Sequence, residues 1–206
     1  MSGTGDNGPD SASGIRTADL AAPSLLIAMP QVLDPFFERS VVLLLHQTDE
    51  GSYGFIINRP TELKVTEILE GMEISWRGRD DSLAYLGGPV QPQVGTILFA
   101  GEAAEGEDRS MEALPGIRMT QHIQDLSRLA QRPPESFRLL LGYAGWGAGQ
   151  LVSEILRNDW IVAPVDLDLL FPSRPETVWE RALAGVGVDA STLPAWTTSD
   201  DEEQPN

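Results

Sequence analysis

Short runs of consecutive apolar residues recur along the chain, separated by amphipathic stretches. SLLIAM (24–29) and VVLLLH (41–46) are apolar at successive positions, as in strands covered on both faces. Between them, DPFFERS (34–40) places Asp34 to cap and Pro35 at a first helical position, which predicts one helical turn. QTDEGS then turns the chain and YGFIIN (53–58) returns it, a hairpin with a longer, glycine-containing loop. SLAYL (82–86), GTILFA (95–100), GIRMT (116–120) and FRLLLGY (137–143) are further strands. VTEILEGM (65–72) reads as a brief helix ending at Gly71. HIQDLSRLAQ (122–131) carries Ile123, Leu126, Leu129 and Ala130 on one side and stops before Pro133 and Pro134. GQLVSEILRND (149–159) has an apolar stripe of Leu151, Val152, Ile155 and Leu156. SRPETVWERALAGVG (173–187) begins with Ser173 and Glu176 in capping-box positions. Many strands, few helices and no regular βαβ alternation define an α+β protein.

The ends differ from this body. Residues 1–18 are Gly, Ser, Asp and Pro with little to bury and read as a disordered arm; residues 195–206 read as an acidic disordered tail. Residues 19–194 contain no internal repeat and no long polar linker, so they form a single domain. At 206 residues and 41% hydrophobic content, the chain can bury one sizeable core.

Charge changes the functional picture. Thirty-one acids against 14 bases give a net charge of −17, of which −11 belongs to residues 20–194. Such a field repels DNA phosphates and anionic lipid headgroups, and the bases form no stripe, which argues against direct nucleic-acid binding and against a membrane partner. The longest apolar run, VVLLL, is far short of the ~20 residues that cross a bilayer, and no apolar segment follows a basic start. A soluble, cytoplasmic protein is expected. Without cysteine, neither disulfides nor thiolate chemistry is available.

The stretch GYAGWGAGQLVSEI (142–155), strand then glycines then helix, is where a phosphate cradle would be sought. Its spacing fits neither G-x-G-x-x-G nor the Walker pattern, and no base lies between Arg138 and Arg157. The favoured reading is that the glycines let the chain around Trp146 approach the sheet closely. Tyr143 and Trp146 stand just before Gln150 and Glu154, which are one helical turn apart; together they are candidates to line a small-molecule cleft, with a core Trp146 and a solvated Glu154 as the plainer alternative. In FIINRP, Arg59 projects at a strand end that Pro60 terminates, either paired with a carboxylate, the favoured case, or awaiting an anionic ligand. Gly87 and Gly88 make a tight turn whose bare amides are candidates for the same cleft.

Catalytic constellations are thin. His46 lies near Asp49 and Glu50, and His122 one turn from Asp125, but neither set completes a metal site. No G-x-S-x-G elbow is present. Most of the tryptophans (76, 146, 160, 179 and 196) read as hydrophobic anchors. No catalytic residue, metal or cofactor is assigned.

AMPQVLDPFFERSVVLLL, YGFIINRP, YLGGPV and LGYAGWGAGQLVSEILRNDWIVAP, in that order, resemble the YqgE/AlgH family of bacterial proteins. The resemblance runs from about Leu20 to Trp179. It implies an α+β fold with a bifurcated, partly barrel-like mixed β-sheet surrounded by helices. It also implies a cytosolic protein of a family that carries a transcriptional-regulator label but no established reaction, substrate or cofactor. The matching blocks supply Asp34, Pro35, Asn58, Arg59, Pro60, Gly87, Gly88, Pro89, Gly142, Tyr143, Trp146, Gly149, Gln150, Glu154 and Trp160. TILFAG and LLHQ depart from the family pattern and count against a cysteine- or histidine-based role. The resulting expectation is a noncatalytic regulatory or binding module. Its cleft of Asn58, Arg59, Gly87, Gly88, Tyr143, Trp146, Gln150 and Glu154 is expected to take a small-molecule ligand or a protein partner. A DNA-binding regulator and an uncharacterised hydrolase are the alternatives.

Overall fold

The structure is a computed structural model and describes residues 20–102 and 108–194. The expected arm and tail lie outside the described residues. Ten strands order as β10-β1-β2-β3-β9-β6-β8-β7, with β4 and β5 branching from β9, and the sheet curls into a half-barrel. The strands are β1 (Ser24–Ala28), β2 (Val41–Thr48), β3 (Gly51–Ile56), β4 (Pro60–Lys64), β5 (Leu83–Leu86), β6 (Val90–Ala100), β7 (Met111–Leu114), β8 (Ile117–Thr120), β9 (Phe137–Gly147) and β10 (Trp160–Ala163). The helices are α1 (Val65–Glu70), α2 (Ile123–Gln131), α3 (Gln150–Leu156) and α4 (Val178–Gly185). Among the described residues no helix is long and apolar enough to cross a membrane.

Strand β9 explains the bifurcation. Its first part pairs antiparallel with β6 and parallel with β5, through Tyr85↔Leu140 and Leu86↔Leu141. Its last part leaves that arrangement and pairs with β3, from Gly54↔Ala144 to Gly51↔Gly147. The change of partner falls at Gly142, whose φ of 69° no β-strand residue with a side chain adopts comfortably. The glycine-rich stretch is therefore strand as far as Gly147, and the turn into α3 is confined to Ala148 and Gly149.

Both faces of β1 and of the first half of β2 are buried, as their unbroken apolar runs predict. Leu25, Ile27, Leu43, Phe55 and Ile57 face one core, closed by Trp179 and Leu183 of α4. Leu26, Val42, Leu44 and Ile56 face another, closed by Leu151 and Ile155 of α3 with Trp146 and Trp160. A third core holds α1 and α2 against β6 and the start of β9 through Leu69, Leu126, Ile97 and Leu139.

Several local expectations are corrected. The β2–β3 loop is only Asp49–Glu50, because Thr48 already pairs with Gly51. Pro60 opens β4 instead of ending the sheet; at a first strand position its missing N–H costs no ladder bond. Strands β4 and β7 escape hydrophobic-pattern reading because PTELK is largely exposed and MEAL is four residues long. Ile123 is 54% exposed, whereas Asp125 is 1% exposed, its carboxylate accepting from Thr120 Oγ1 at 2.8 Å and from Arg128 at 3.1 Å. The capping box at Ser173 and Glu176 does not form. Glu176 pairs with Arg174 at 3.0 Å, and α4 starts after an extra 3-10 turn at Pro175–Thr177.

One polar residue inside an apolar run is informative. Arg138 of β9 is 4% exposed, donates to the carbonyl of Ile57 and lies 3.9 Å over the Tyr85 ring. Burial pushes its pKa below the usual arginine value, and no carboxylate pairs with it among the described residues. Backbone carbonyl and ring quadrupole take the place of a counter-ion and tie β9 to the branching strand β5.

Candidate functional site

The eight residues expected to share a cleft have separate duties. Asn58 is buried, accepting from Val41 N at 2.8 Å and donating to Arg39 O at 2.9 Å, so it fastens the end of β3 to the start of β2. Among the described residues no carboxylate pairs with Arg59: its guanidinium donates to the carbonyls of Pro35 and Glu38. Those carbonyls belong to the DPFFERS turn, where Asp34 Oδ1 accepts from Phe36 N at 2.8 Å. A turn that short leaves carbonyls without internal partners, and a planar guanidinium reaches two of them.

Gly87 and Gly88 stand against the other side of the fork. A Cβ on Gly87 would lie 2.3 Å from the carbonyl oxygen of Gly142, and one on Gly88 would lie 2.2 Å from the carbonyl carbon of Tyr143. Backbone touches backbone here, so no bare amide surface faces a guest.

Glu154 closes a second structural network. Oε2 accepts from the indole Nε1 of Trp146 at 2.8 Å and of Trp160 at 2.9 Å. Oε1 accepts from Gln150 Nε2 at 2.9 Å, and Gln150 Oε1 accepts from Gly147 N at 3.0 Å. One carboxylate thus anchors α3 to β9 and β10, with the two indoles edge-on at 5.9 Å and Phe37 packed against both. Asp159, at the start of β10, is held separately by Arg157 at 2.7 Å.

Tyr143 and Trp146 do line an open groove, of about 770 Å³, but with companions the sequence reading left out. Alternation along β3 sends Tyr53 and Phe55 to the face that Tyr143 shares, and these rings form the floor with Met119 of β8. Tyr53 is perpendicular to Tyr143 at 6.3 Å and to Phe55 at 6.2 Å. His46 stacks on Tyr53 at 5.7 Å and 28°, extending the aromatic surface outward. The exposed rim is polar: His46 and Glu50 on one side, Arg109, Gln121 and His122 on the other, with Gln91 also lining it. Gln91 holds a left-handed φ of 51°, just where β6 begins its pairing with Tyr143.

Both histidines of the chain thus meet in one groove, although 76 positions separate them in sequence. Among the described residues no three His, Asp or Glu side chains gather as a metal site, and neither imidazole has a hydrogen-bond partner that would orient it as a base. The Tyr53–Phe55 alternation was a readable signal; Arg109 and His122 carried none, since only the strand order brings β7 and β8 round to β3. A second hollow of about 870 Å³ lies between α4 and residues 187–194. Its lining includes Glu38, Glu180 and Asp189, and its Arg39 is already 5.3 Å over the Trp179 ring.

Comparison with known proteins agrees with this architecture. A family model described as AlgH-like matches residues 25–191. A UPF0301 protein of Myxococcus xanthus is 39% identical over 173 residues, covering 84% of this chain and 94% of that protein. One from Ruegeria pomeroyi is 41% identical over 174 residues, covering 83% and 94%. The solution structure of the AlgH protein from Pseudomonas aeruginosa aligns with a TM-score of 0.66 at 32% identity, covering 94% of this chain and 98% of that one. A crystal structure of a Corynebacterium diphtheriae protein aligns at 0.65 over 81% and 87% of the two chains, and at 23% identity shares the fold alone.

Proposed function

Given that this chain belongs to the AlgH-like family, whose curated relatives it matches over more than nine-tenths of their length, we propose that it is a noncatalytic binding module working through the Tyr53–Tyr143 groove. The observation that carries this reading is the groove itself: aromatic below, polar at the rim, and within the ~300–1,000 Å³ typical of small-molecule sites. A small ligand fits that description better than a polyanion does.

Ligand binding to the native state raises the melting temperature, so a thermal-shift screen against metabolites finds the guest. At a ligand concentration of about 100 Kd the gain is ~2.7 kcal/mol, an upward shift of roughly 5–10 °C for a domain of this size. Tyr143→Ala is expected to remove that shift. Arg59→Ala, whose guanidinium serves the 35–38 turn, is expected to melt lower by itself yet keep it. A full shift in Tyr143→Ala would place the ligand elsewhere.

The transcriptional-regulator role implied by the family resemblance raises direct DNA binding, against which the −17 charge stands. Fluorescence anisotropy with labelled duplex is expected to stay flat up to about 10 µM protein at physiological salt. Saturable, salt-sensitive binding there would replace the small-ligand reading with a DNA-binding one.

A further inference from the structure

We propose that the groove's guest is an organic anion with a flat aromatic body, an aryl carboxylate in its simplest form; this rests on the groove assignment above and names the chemistry of its ligand. The first support is the state of the arginines. Arg79, Arg118, Arg128, Arg157 and Arg174 each form an ion pair with an aspartate or glutamate. Arg39 and Arg138 lie over aromatic rings, and Arg59 is spent on carbonyls. Arg109 lines the groove, is exposed, and has neither an ion pair nor a hydrogen bond among the described residues. The guanidinium groups of Arg132 and Arg181 are likewise without an ion pair or hydrogen bond among the described residues, but neither lines the groove, so Arg109 is the guanidinium placed to meet a guest there. Its planar fork matches a carboxylate with two parallel hydrogen bonds.

The second support is the floor. Tyr53 and Tyr143 are perpendicular, and the His46 ring continues from Tyr53, so a flat ring entering the groove meets both edges and faces. That arrangement suits offset-stacked and edge-on aromatic contact. Glu50, on the opposite rim, is the one carboxylate among the described residues that line the groove. It repels a second negative charge, which selects a monoanion over a phosphate-rich ligand.

A matched pair of probes tests this on the full chain: 2-naphthoate and its neutral amide, 2-naphthamide, followed by naphthalene fluorescence and by calorimetry. The naphthoate is expected to bind with Kd below about 1 mM and about tenfold or more tighter than the amide. Arg109→Gln should erase that preference by weakening the naphthoate far more than the amide, and Glu50→Gln should tighten the naphthoate. Raised salt should narrow the gap between the probes, since both rim charges are exposed. If acid and amide bind equally and both weaken in Tyr143→Ala, the groove stands and the anion inference falls. If naphthoate binds but ignores Tyr143→Ala, the groove assignment itself fails. Absence of naphthoate binding at about 1 mM overturns the inference as well.

Discussion

Gly88→Ala is expected to leave little folded protein, with a melting temperature lower by about 10 °C or more in whatever survives. A Cβ at this position would stand 2.2 Å from the carbonyl carbon of Tyr143 and 2.3 Å from its oxygen and from the Ala144 nitrogen. All three are backbone atoms of β9, so no side-chain rotation relieves the overlap. The backbone at Gly88 also has φ of 154°, which disfavours any L side chain. Its surroundings cannot give way singly. Gly142 faces it from β9, where an added Cβ would meet Gly88 O at 2.5 Å and Val90 O at 2.8 Å. Ile56 N donates to Gly87 O at 2.8 Å and Gly87 N to Leu141 O at 2.8 Å, so the strap is bonded to both arms of the fork. Separating the arms breaks these bonds in a region without water to replace them. Gly185→Ala is the matching control. It ends α4 with nothing within 4 Å of its Cβ and should be neutral or stabilising by about 0.5 kcal/mol. Thermal and urea unfolding of the two variants measure the contrast; a Gly88→Ala protein melting within about 2 °C of the parent would show that the fork tolerates opening.

Glu154→Leu carries the second largest expected effect, a loss of roughly 3–5 kcal/mol and about 10 °C in melting temperature. The substitution removes the acceptor shared by the indole N–H groups of Trp146 and Trp160 and strands the Gln150 amide. Trp146 and Trp160 are buried, so water does not readily take over, and each donor left alone costs about 1–3 kcal/mol. Glu154→Gln separates this account from simple loss of packing. Its carbonyl oxygen still accepts from the indoles, but its amide faces the Gln150 amide, donor against donor. Rotating Gln150 to escape would turn an N–H₂ toward Gly147 N, whose present acceptor is Gln150 Oε1. The expected order of stability is therefore parent, Glu154→Gln, Glu154→Leu. Ligand affinity in the groove, measured well below the melting range, should be nearly unchanged in both. Equal stability of Glu154→Leu and the parent in urea would remove the clamp from the account, and a lost ligand response in folded Glu154→Gln would return Glu154 to the site.

These two predictions show how differently the motifs read in one dimension and in three. The glycines of LGYAGWG mark close backbone approach in the sequence and those of YLGGPV a tight turn; in the structure the two motifs approach one another, across 54 positions from Gly88 to Gly142. Glu154 beside an aromatic pair suggests a cleft wall. It becomes a clamp because β10 brings Trp160 back to the same carboxylate. Arg59 at a strand end suggests a carboxylate partner or an anion site, and it serves the carbonyls of a turn lying 21 to 24 residues earlier.

The chain's own pattern determined the element types along most of its length, the two-sided burial of β1 and of the first half of β2, the helices that close the cores, and the acidity that disfavours polyanions. These follow from local quantities: the period of apolar positions, the φ limits of glycine and proline, and the sum of charges. Tertiary structure alone decided which polar groups are used up and which stay available. Arg109, His46, His122, Tyr53 and Tyr143 come from five separate segments, and they meet because β9 leaves β6 to join β3 while β7 and β8 curl round beside them. A side chain's role depends on what stands opposite it, and long-range strand register sets that opposition without leaving a periodic trace in either partner segment.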